Sequence, residues 1–530
     1  MGKRAKGRSL ADFSPLSAAE LEIRAAAALG GMPVIGETRP EAENAECTVR
    51  AEFLRFLALG GDDEAPVQEK GLHVQGAWIT GKLVLSQAEI AGALTLAKCR
   101  FAEAPELVNT QIRGWFSLAG SAVPGLHADG LTCRANVHLK DGFTSTDEVR
   151  LPGATVGGDL SCGGGTFENL KGVALNAEGI KVGKNVYLGD NLRAQGAICL
   201  GSATIGGDLV CRGGNFCNEG ENSTAIHCQG LRVSGGFLFD RVKIRGAVNL
   251  TAAHVAHLVD DRDSWPENII LDGFVYDSFA GNAPTTAKDR LAWLDQQSPD
   301  HSGKAKNPRA FRPQPWQQLR KVLRDMGHLE DSRQVAIAFE NRKRKCRVIG
   351  EISAPATPEE IVTCFRQWLQ SRTARGFHWL YGCLIGYGYR PIRLLGIVGL
   401  VWLVSTVLFD IGGHSRVFGP SDPQIFDNPA YDSCNPEKNP RANWTRCQIF
   451  PRAYPAFYPP LYALDVLLPV GKLGQQDHWA PLASARAPSL TAWVLAWATQ
   501  ITVWLETLFG WIAGLLLVAT VTGLAKRHDE

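Results

Sequence analysis

One short phrase recurs through the first half of this chain and limits what the chain can fold into. It runs β-branched residue, any residue, small residue, any residue, aliphatic, any residue, aliphatic, and residues 79–85 and 90–96 are clear copies. The small third residues are spaced by roughly one or two units of about 11 residues. They are Gly81, Gly92, Gly114, Ala135, Gly158, Gly196, Gly207, Gly235 and Gly246. Such a period indicates a repeat architecture in which each copy stacks on the next.

The alternation of apolar residues inside each phrase predicts a short strand with one buried face. Such a strand hides its apolar face only when successive copies stack into ladders, with glycine where the backbone turns tightly. Two phrases would make one turn of roughly 22 residues. We therefore predict a mainly β fold over residues 66–280. It is a right-handed parallel β-helix, or solenoid, of the pentapeptide-repeat-like kind. A β-sandwich also has alternating strands, but the fixed spacing favours the solenoid.

Composition excludes some classes of protein. The net charge of +2 and the 45% hydrophobic content fit neither a basic nucleic-acid binder nor a disordered chain. The 13 cysteines form no CxxC pair, and Cys133, Cys162 and Cys211 fall on inward positions of the ladders, where a thiol acts as a small hydrophobe. Cys217 and Cys228 follow Cys211, but their spacing matches no zinc pattern. We expect no metal and no cofactor.

Helical patterns precede the repeat, within residues 1–65. Ser17 and Glu20 form a capping box that opens an alanine-rich helix, and a second helical piece covers residues 49–59. Because a solenoid exposes strand edges at its ends, these helices are predicted to cap the first turn.

Helical patterns also follow the repeat. After residue 250 the phrase dissolves, apart from one strand at 269–271. Residues 315–327 and 332–345 then predict a helical hairpin, joined by a short turn, within a segment 281–350. The hairpin resembles half a tetratricopeptide unit, and it either packs on the far end of the solenoid or contacts another protein.

Two apolar segments predict a membrane module. Residues 394–411 form the first transmembrane helix, and residues 489–524 form an interfacial stretch that continues into a second one. Basic amphipathic helices at 351–393 precede the first span, so the positive-inside rule places both termini in the cytoplasm, with 525–530 as a short tail. Anionic lipid headgroups, rather than nucleic acid, are the expected partners of these basic residues. The predicted headgroup contacts are Arg342, Lys343, Arg344, Lys345, Arg347, Arg372, Arg375, Arg390 and Arg393.

An ionisable residue lies inside the second apolar segment. Glu506 shares one helical stripe with Thr499, Thr502, Gly510 and Gly514, and a carboxyl group at that depth is costly enough to need a role. The two glycines form a GxxxG element, which favours close helix contact. The stripe is predicted to face either the first span or a neighbouring subunit, which would give a homo-oligomer. Alternatively, Glu506 marks the point where an interfacial helix turns into the span.

The segment 412–488 between the two spans is predicted to be extracytoplasmic. Its Cys434 and Cys447 would meet an oxidising compartment, and we predict a disulfide between them. Residues 462–470 are apolar but too short to cross, which is typical of an interfacial or re-entrant segment. Asp465 in this segment and Glu506 are candidate acidic rings if an oligomer forms a pore.

Four motifs carry a resemblance to a known group of proteins. They are PQPWQQL at 313–319, MGHLEDSR at 326–333, GYGYRP at 386–391 and LYALDVLLPV at 461–470. With the preceding repeat, the chain resembles bacterial membrane-anchored β-helix proteins that are often labelled membrane-associated oxidoreductases. The resemblance implies an inner-membrane location and an oxidoreductase activity. The residues themselves contain no CxxCH motif, and Val156–Gly157–Gly158–Asp159 is predicted to be a turn of the repeat, not a dinucleotide fingerprint.

The order span, short apolar segment, span is also similar to the layout of two-span bacterial ion channels, although no TVGYG-like filter precedes the second span. Three functions are therefore open. The first is a binding or sensing scaffold that presents the solenoid to an unidentified cytoplasmic protein. The second is an oligomeric channel or membrane-permeabilising effector gated by the solenoid. The third is the oxidoreductase that the resemblance implies.

Overall fold

A computed structural model describes residues 9–219, 223–350, 361–439, 441–451, 453–468, 471–483 and 490–521. The chain forms two compact units, Met1–Val348 and Ile349–Glu530. The first unit contains the solenoid, and the second contains two long apolar helices.

The first unit is a parallel β-solenoid of about nine turns, which confirms the predicted fold class. Trp78, Arg100, Ala122 and Thr144 pair in succession, so that each of these turns advances 22 residues. Each turn passes through four short strands, which gives the coil four sides. One complete turn consists of Thr132–Cys133, Val137–His138, Thr144–Ser145 and Val149–Arg150.

The strands of the coil belong to two parallel sheets, each of which covers two of the four sides. The 14-stranded sheet contains Thr48–Arg50, Trp78–Thr80, Arg100–Phe101, Ala122–Val123, Leu126–His127, Thr144–Ser145, Val149–Arg150, Thr166–Asn176, Arg193–Cys199, Asn215–Cys217, Thr224–His227, Lys243–Arg245, Ala247–Asn249 and Ile269–Ile270. The 16-stranded sheet contains Gly71–Gln75, Glu89–Ile90, Ala93–Ala97, Gln111–Ile112, Phe116–Ser117, Thr132–Cys133, Val137–His138, Thr155–Val156, Leu160–Ser161, Lys181–Val182, Val186–Tyr187, Thr204–Ile205, Leu209–Val210, Arg232–Phe239, His254–Asp260 and Val275–Phe279.

Apolar side chains fill the interior of the coil in ladders, one residue per turn. One ladder consists of Phe116, Val137, Leu160, Val186, Leu209 and Phe237, all of them buried. Cys133, Cys162 and Cys211 point inward as well, and burial raises the pKa of the Cys162 thiol to about 12. These thiols therefore stay protonated and pack as small hydrophobes.

The phrase dissolves after residue 250, but the coil continues to Phe279 with two strands more than the one predicted at 269–271. His254–Asp260, Ile269–Ile270 and Val275–Phe279 continue the parallel pairing of the coil. The glycine of the phrase is lost here, but the inward positions, such as Val255 and Leu258, stay apolar and buried. Inward burial, rather than the phrase itself, is what a turn of the coil requires.

Helices cover the first turn of the solenoid. A 3-10 turn at Leu10–Phe13 precedes α1 (Ala18–Leu29), and α2 (Ala51–Ala58) follows the first strand. The Ser17 side chain and Glu20 form the predicted capping box at the start of α1. The buried Glu20 carboxylate also accepts hydrogen bonds from the Arg50 side chain at 2.6 and 2.8 Å, which ties α1 to the first strand.

A 3-10 turn at Arg262–Ser264 lies within the coil, between His254–Asp260 and Ile269–Ile270. Helices α3 (Ala287–Leu294), α4 (Gln314–Asp325) and α5 (Leu329–Lys345) follow the last turn. The Gln318 amide donates to the Tyr276 carbonyl oxygen at 2.6 Å, so α4 packs on the last strand of the coil. Helix α5 begins at Leu329, inside the predicted turn, because that turn consists of little more than Gly327 and His328.

The second unit contains α6 (Ile361–Ile385), α7 (Ile392–His414), α8 (Pro423–Phe426), α9 (Pro459–Leu467) and α10 (Leu490–Val521). Short 3-10 turns lie at Gly386–Gly388, Pro429–Cys434 and Trp444–Arg446. Phe418–Pro420 and Trp479–Pro481 form an antiparallel strand pair. Helix α10 is a single helix of 32 residues, so the predicted interfacial stretch and span form one rod of about 48 Å.

Candidate functional site between the apolar helices

Helices α7 and α10 run antiparallel and contact each other along their length. Leu394, near the start of α7, shares an apolar cluster with Ala513 of α10, whereas Phe409 near its end shares one with Ala496. Both helices are long and apolar enough to cross a membrane. Their outward side chains are large, apolar and exposed, among them Leu395, Leu400, Leu403, Val404 and Val407 on α7 and Trp504, Leu505, Leu508, Trp511 and Leu515 on α10.

Glu506 is buried where the two helices touch, with 2% of its surface exposed. Its Oε1 lies 2.7 Å from Ser405 Oγ on α7, and Ser405 Oγ lies 2.5 Å from the Val401 carbonyl oxygen. A serine hydroxyl has one hydrogen, and a carbonyl oxygen only accepts. The Ser405 hydroxyl donates either to Glu506 Oε1 or to the Val401 carbonyl oxygen, and its contact with Glu506 joins α7 to α10.

The rest of the predicted stripe also faces the same chain. Thr499 is fully buried, and a Cβ on Gly412 of α7 would lie 3.0 Å from its methyl group. A Cβ on Gly510 would lie 2.1 Å from the carbonyl oxygen of Leu467, so α9 rests directly on α10 there. Thr502 and Gly514 are half-buried, and Thr502 Oγ1 donates to a carbonyl oxygen one turn earlier in α10. Thr499, Glu506 and Gly510 of the stripe thus meet α7 and α9 of their own chain.

Asp465, the second candidate acidic group, holds the loop that follows α9. Its two carboxylate oxygens accept from the backbone N–H groups of Leu473, Gln475 and Gln476 at 2.7 to 2.8 Å. Only 6% of Asp465 is exposed. The carboxylate is therefore already satisfied by the backbone of residues 471–477, which we call the α9 loop.

Cys434 and Cys447 are joined in a disulfide, with their Cα atoms 5.5 Å apart. Around them, Phe418, Trp444 and Trp479 are buried in an aromatic cluster that also includes Tyr462 of α9. This cluster packs on the end of α7 and the start of α10, and it fixes the segment between the two helices.

The basic residues predicted to contact lipid headgroups are placed differently in the two units. In the first unit, Arg342 pairs with Asp295 at 2.8 Å and Lys343 with Glu340 at 2.6 Å, so both charges have partners within the protein. Arg344 donates to the Asn341 side chain. Lys345 and Arg347 follow at the end of α5 and are exposed.

In the second unit, the predicted headgroup residues lie on or beside α6. Arg372 lies over the ring of Trp368, and Arg375 donates to a backbone carbonyl oxygen. Arg390 is half-buried, and Arg393 is exposed at the start of α7. Helix α6 also exposes Leu369, Phe377, Trp379 and Leu380.

The solenoid brings together a cysteine, a histidine and an asparagine. The sequence analysis did not predict this grouping. Cys199, His227 and Asn249 occupy the same outward position on three successive turns. However, burial and the nearby Glu178 and Glu148 raise the pKa of the Cys199 thiol to about 11. The thiolate that nucleophilic catalysis needs is therefore strongly disfavoured. Among the described residues, no group of three His, Cys, Asp or Glu side chains is arranged to hold a metal ion.

The Gly-Gly-Asp turns of the repeat form a polar ladder at one corner of the coil. The side-chain oxygen of Asn136 accepts from the backbone N–H of Asp159, and the same bond recurs from Asn185 to Asp159 and from Asp208 to Asn185. A Cβ on Gly158 would lie 2.0 Å from the Asn136 side chain, which explains the glycine at this position. As predicted, these turns connect strands and do not open helices.

One outward column of the solenoid is apolar. Tyr187, Val210, Leu238 and Val259 pair in succession on one side of the coil, and all four are half-buried. Earlier turns place His138 and Ser161 at the same position. The four residues form an apolar strip along these turns.

A buried ion pair closes the far end of the solenoid, and the sequence did not reveal it. Arg290 of α3 is fully buried and forms two hydrogen bonds of 2.7 Å with Asp260 on the last turns of the coil. Its guanidinium group lies 3.7 Å from the centre of the Phe279 ring, and the Trp265 indole donates to Asp260. These contacts dock α3 on the coil.

No family model, curated protein or solved structure matches this chain. The structure itself defines the class, which is a parallel β-solenoid followed by two helices that are able to cross a membrane.

Proposed function

We propose that this protein is a membrane-anchored scaffold. In this proposal α7 and α10 cross the inner membrane of a bacterium, both termini are cytoplasmic, and the solenoid presents its outer surface to a cytoplasmic protein. The observation that carries the proposal is the low burial of the two apolar helices. In the most apolar 18-residue stretch of each helix, only 17% of the residues of α7 and 22% of those of α10 are buried. The core helix of a water-soluble protein is mostly buried.

The juxtamembrane helix supports the same arrangement. Helix α6 exposes aromatic and aliphatic side chains beside Arg372 and Arg375, a combination that suits the boundary between lipid headgroups and acyl chains. We propose that Arg372, Arg375 and Arg393 contact anionic headgroups there, with a contribution of about 1 kcal/mol per charge.

The solenoid acts through its surface in this proposal, because its interior is filled by apolar ladders. The strip of Tyr187, Val210, Leu238 and Val259 is the surface that we assign to the protein partner. A contiguous, partly exposed apolar strip is typical of a binding surface, and this one suits a partner that lies along the turns.

A photo-cross-linking amino acid at Leu238 would test this assignment in cells, with Arg232 as the matched control on a neighbouring side of the coil. We expect a specific cross-linked protein from position 238 that is lost when Val210→Arg is added. Equal cross-linking at both positions would contradict the assigned surface.

Release of the chain from membranes by alkaline carbonate would contradict the anchoring.

A further inference from the structure

One of the four sides of the solenoid carries a row of exposed cations. Its strands pair in succession, and they are Thr132–Cys133, Thr155–Val156, Lys181–Val182, Thr204–Ile205 and the start of Arg232–Phe239. We call it the basic side, because its exposed residues include Arg134, Lys181, Lys184 and Arg232. At about 4.8 Å per turn, these charges extend over roughly 19 Å along the coil.

The acidic side chains at the two corners of the basic side are mostly engaged elsewhere. Asp129 pairs with Arg150 at 2.7 Å. Asp159 and Asp208 each accept a hydrogen bond from a backbone N–H group of the next turn. Glu178 is exposed at one corner. The cations of the basic side therefore outnumber the acids that are free to neutralise them.

Small residues stand between these cations. The second outward position of three successive turns is an exposed glycine, namely Gly157, Gly183 and Gly206. A Cβ on Gly183 would lie 2.4 Å from the Gly157 carbonyl oxygen, so the stacking of the turns itself requires glycine here. The long side chains of lysine and arginine therefore project beyond their surroundings, and they can reach one plane together.

The opposite side of the coil mixes both signs of charge. Asn215 lies there between Arg193 and Lys243 in one column, as Thr204 lies between Lys181 and Arg232 on the basic side. However, Glu168 is on that side as well, and Glu219 follows the strand of Asn215. The opposite side is therefore a matched control with the same two cations but with acids beside them.

We propose that the basic side docks on the anionic headgroups of the membrane that anchors the chain. The proposal rests on the insertion of α7 and α10, which keeps the solenoid beside one leaflet and raises the effective concentration of its headgroups. A cytoplasmic leaflet carries anionic lipids, and its negative surface potential attracts exposed Lys and Arg. Headgroups are mobile charges in a plane, so they meet cations two turns, or about 10 Å, apart without a shaped counterpart.

The composition of the basic side favours lipid over a protein or a nucleic acid. Aromatic side chains anchor the centre of many protein interfaces, and bases of single-stranded nucleic acid stack on them. From Thr132 to Ser234, the outward positions of the basic side hold only Thr, Gly, Ser, Lys and Arg. The apolar strip that we assign to the protein partner lies on the neighbouring side and stays free.

A photo-cross-linking amino acid tests the docking in the full chain reconstituted in nanodiscs. It is placed at Thr204 on the basic side and at Asn215 on the opposite side. With phosphatidylglycerol in the nanodisc, mass spectrometry should detect phospholipid adducts at position 204 at least roughly tenfold above those at position 215. Phosphatidylcholine alone, or high salt, should remove this excess, because the attraction is electrostatic. Equal adducts at the two positions would overturn the proposal.

Charge reversal separates the basic side from a general effect of net charge. Lys181→Glu combined with Arg232→Glu should lower the adducts at position 204 at least roughly tenfold, since each charge contributes about fivefold. Arg193→Glu combined with Lys243→Glu makes the same change in net charge and should leave the adducts in place. All four positions are exposed, so both variants should keep the circular dichroism spectrum of the wild type. Equal effects of the two variants would overturn the docking, as would a protein or a nucleic acid captured at position 204 in cells.

Failure of the proposed anchoring gives a different result. A chain whose α7 and α10 do not insert would not be retained in nanodiscs. It should still float with phosphatidylglycerol liposomes through the basic side, and Lys181→Glu combined with Arg232→Glu should abolish that flotation. The absence of flotation for such a chain would overturn the docking as well.

Discussion

Glu506 shows how a single carboxyl group can be part of a helix contact. Glu506→Gln keeps an oxygen that accepts from Ser405 Oγ, and its amide group can also donate to that oxygen. We expect this variant to retain the thermal stability of the detergent-purified protein. Glu506→Lys places a cation between α7 and α10 with no anion beside Ser405, and we expect a loss of about 2 kcal/mol or more. A marked loss with glutamine would show that the ionised form is the one required.

The buried pair of Arg290 and Asp260 makes the far end of the solenoid sensitive to one substitution. Arg290→Met leaves the Asp260 carboxylate buried without its cation, so we expect the free energy of unfolding to fall by about 3–5 kcal/mol. Arg113→Met is the control, because its partner Glu89 is half exposed and exposed pairs contribute about 1 kcal/mol or less. Urea denaturation followed by circular dichroism measures both. Equal losses would contradict the assigned role of Arg290.

The lowered pKa of Glu20 makes the stability of the N-terminal cap depend on pH. Burial raises the pKa of this carboxyl group, but the hydrogen bonds from Arg50 and Ser17 outweigh it and hold the pKa below the ordinary value of 4.5. Because the unfolded chain binds the proton more tightly, the stabilisation is fully present above pH 4.5 and is lost as the pH falls below it. Glu20→Gln should flatten this part of the profile of denaturation midpoint against pH. A wild-type profile no steeper than that of the variant would contradict the prediction.

At the scale of elements, the close approach of α9 to α10 depends on one glycine. Gly510→Val would place a side chain 2.1 Å from the Leu467 carbonyl oxygen, so α9 must move away. We expect a loss of about 1–3 kcal/mol in the stability of the second unit. Gly399→Val on α7 is the control, because nothing lies within 4 Å of the added Cβ. Tryptophan fluorescence during thermal unfolding would report both, and equal midpoints would contradict the contact.

For the whole molecule, the division into two units after Val348 predicts that the first unit folds without the second. A chain ending at Val348 keeps the coil and the helices at both of its ends, which form one hydrophobic core. We expect this fragment to stay in the soluble fraction with a β-rich circular dichroism spectrum, while the full chain stays with the membrane. Aggregation of the fragment would show that the second unit is needed to complete the fold.

Most of the fold could be predicted from the sequence, because local periodicity carries it. The phrase that recurs about every 11 residues predicts parallel ladders, since only stacked copies bury its apolar positions. The capping box at Ser17 predicts the start of α1, and the long apolar runs predict α7 and most of α10. The strands His254–Asp260 and Val275–Phe279 were not predicted individually, because their inward residues stay apolar without repeating the phrase.

The candidate sites were less predictable, because they depend on which residues meet across long separations in the chain. The sequence identified Glu506 as a costly buried acid, but only the tertiary structure decided that Ser405, 101 residues earlier, lies against it. In the same way Asp465 was recognised as an acidic residue in an apolar segment, and the fold decided that it holds the α9 loop. Periodicity determines which face of an element is buried, whereas the partner on that face is set by packing between elements, which no local pattern records.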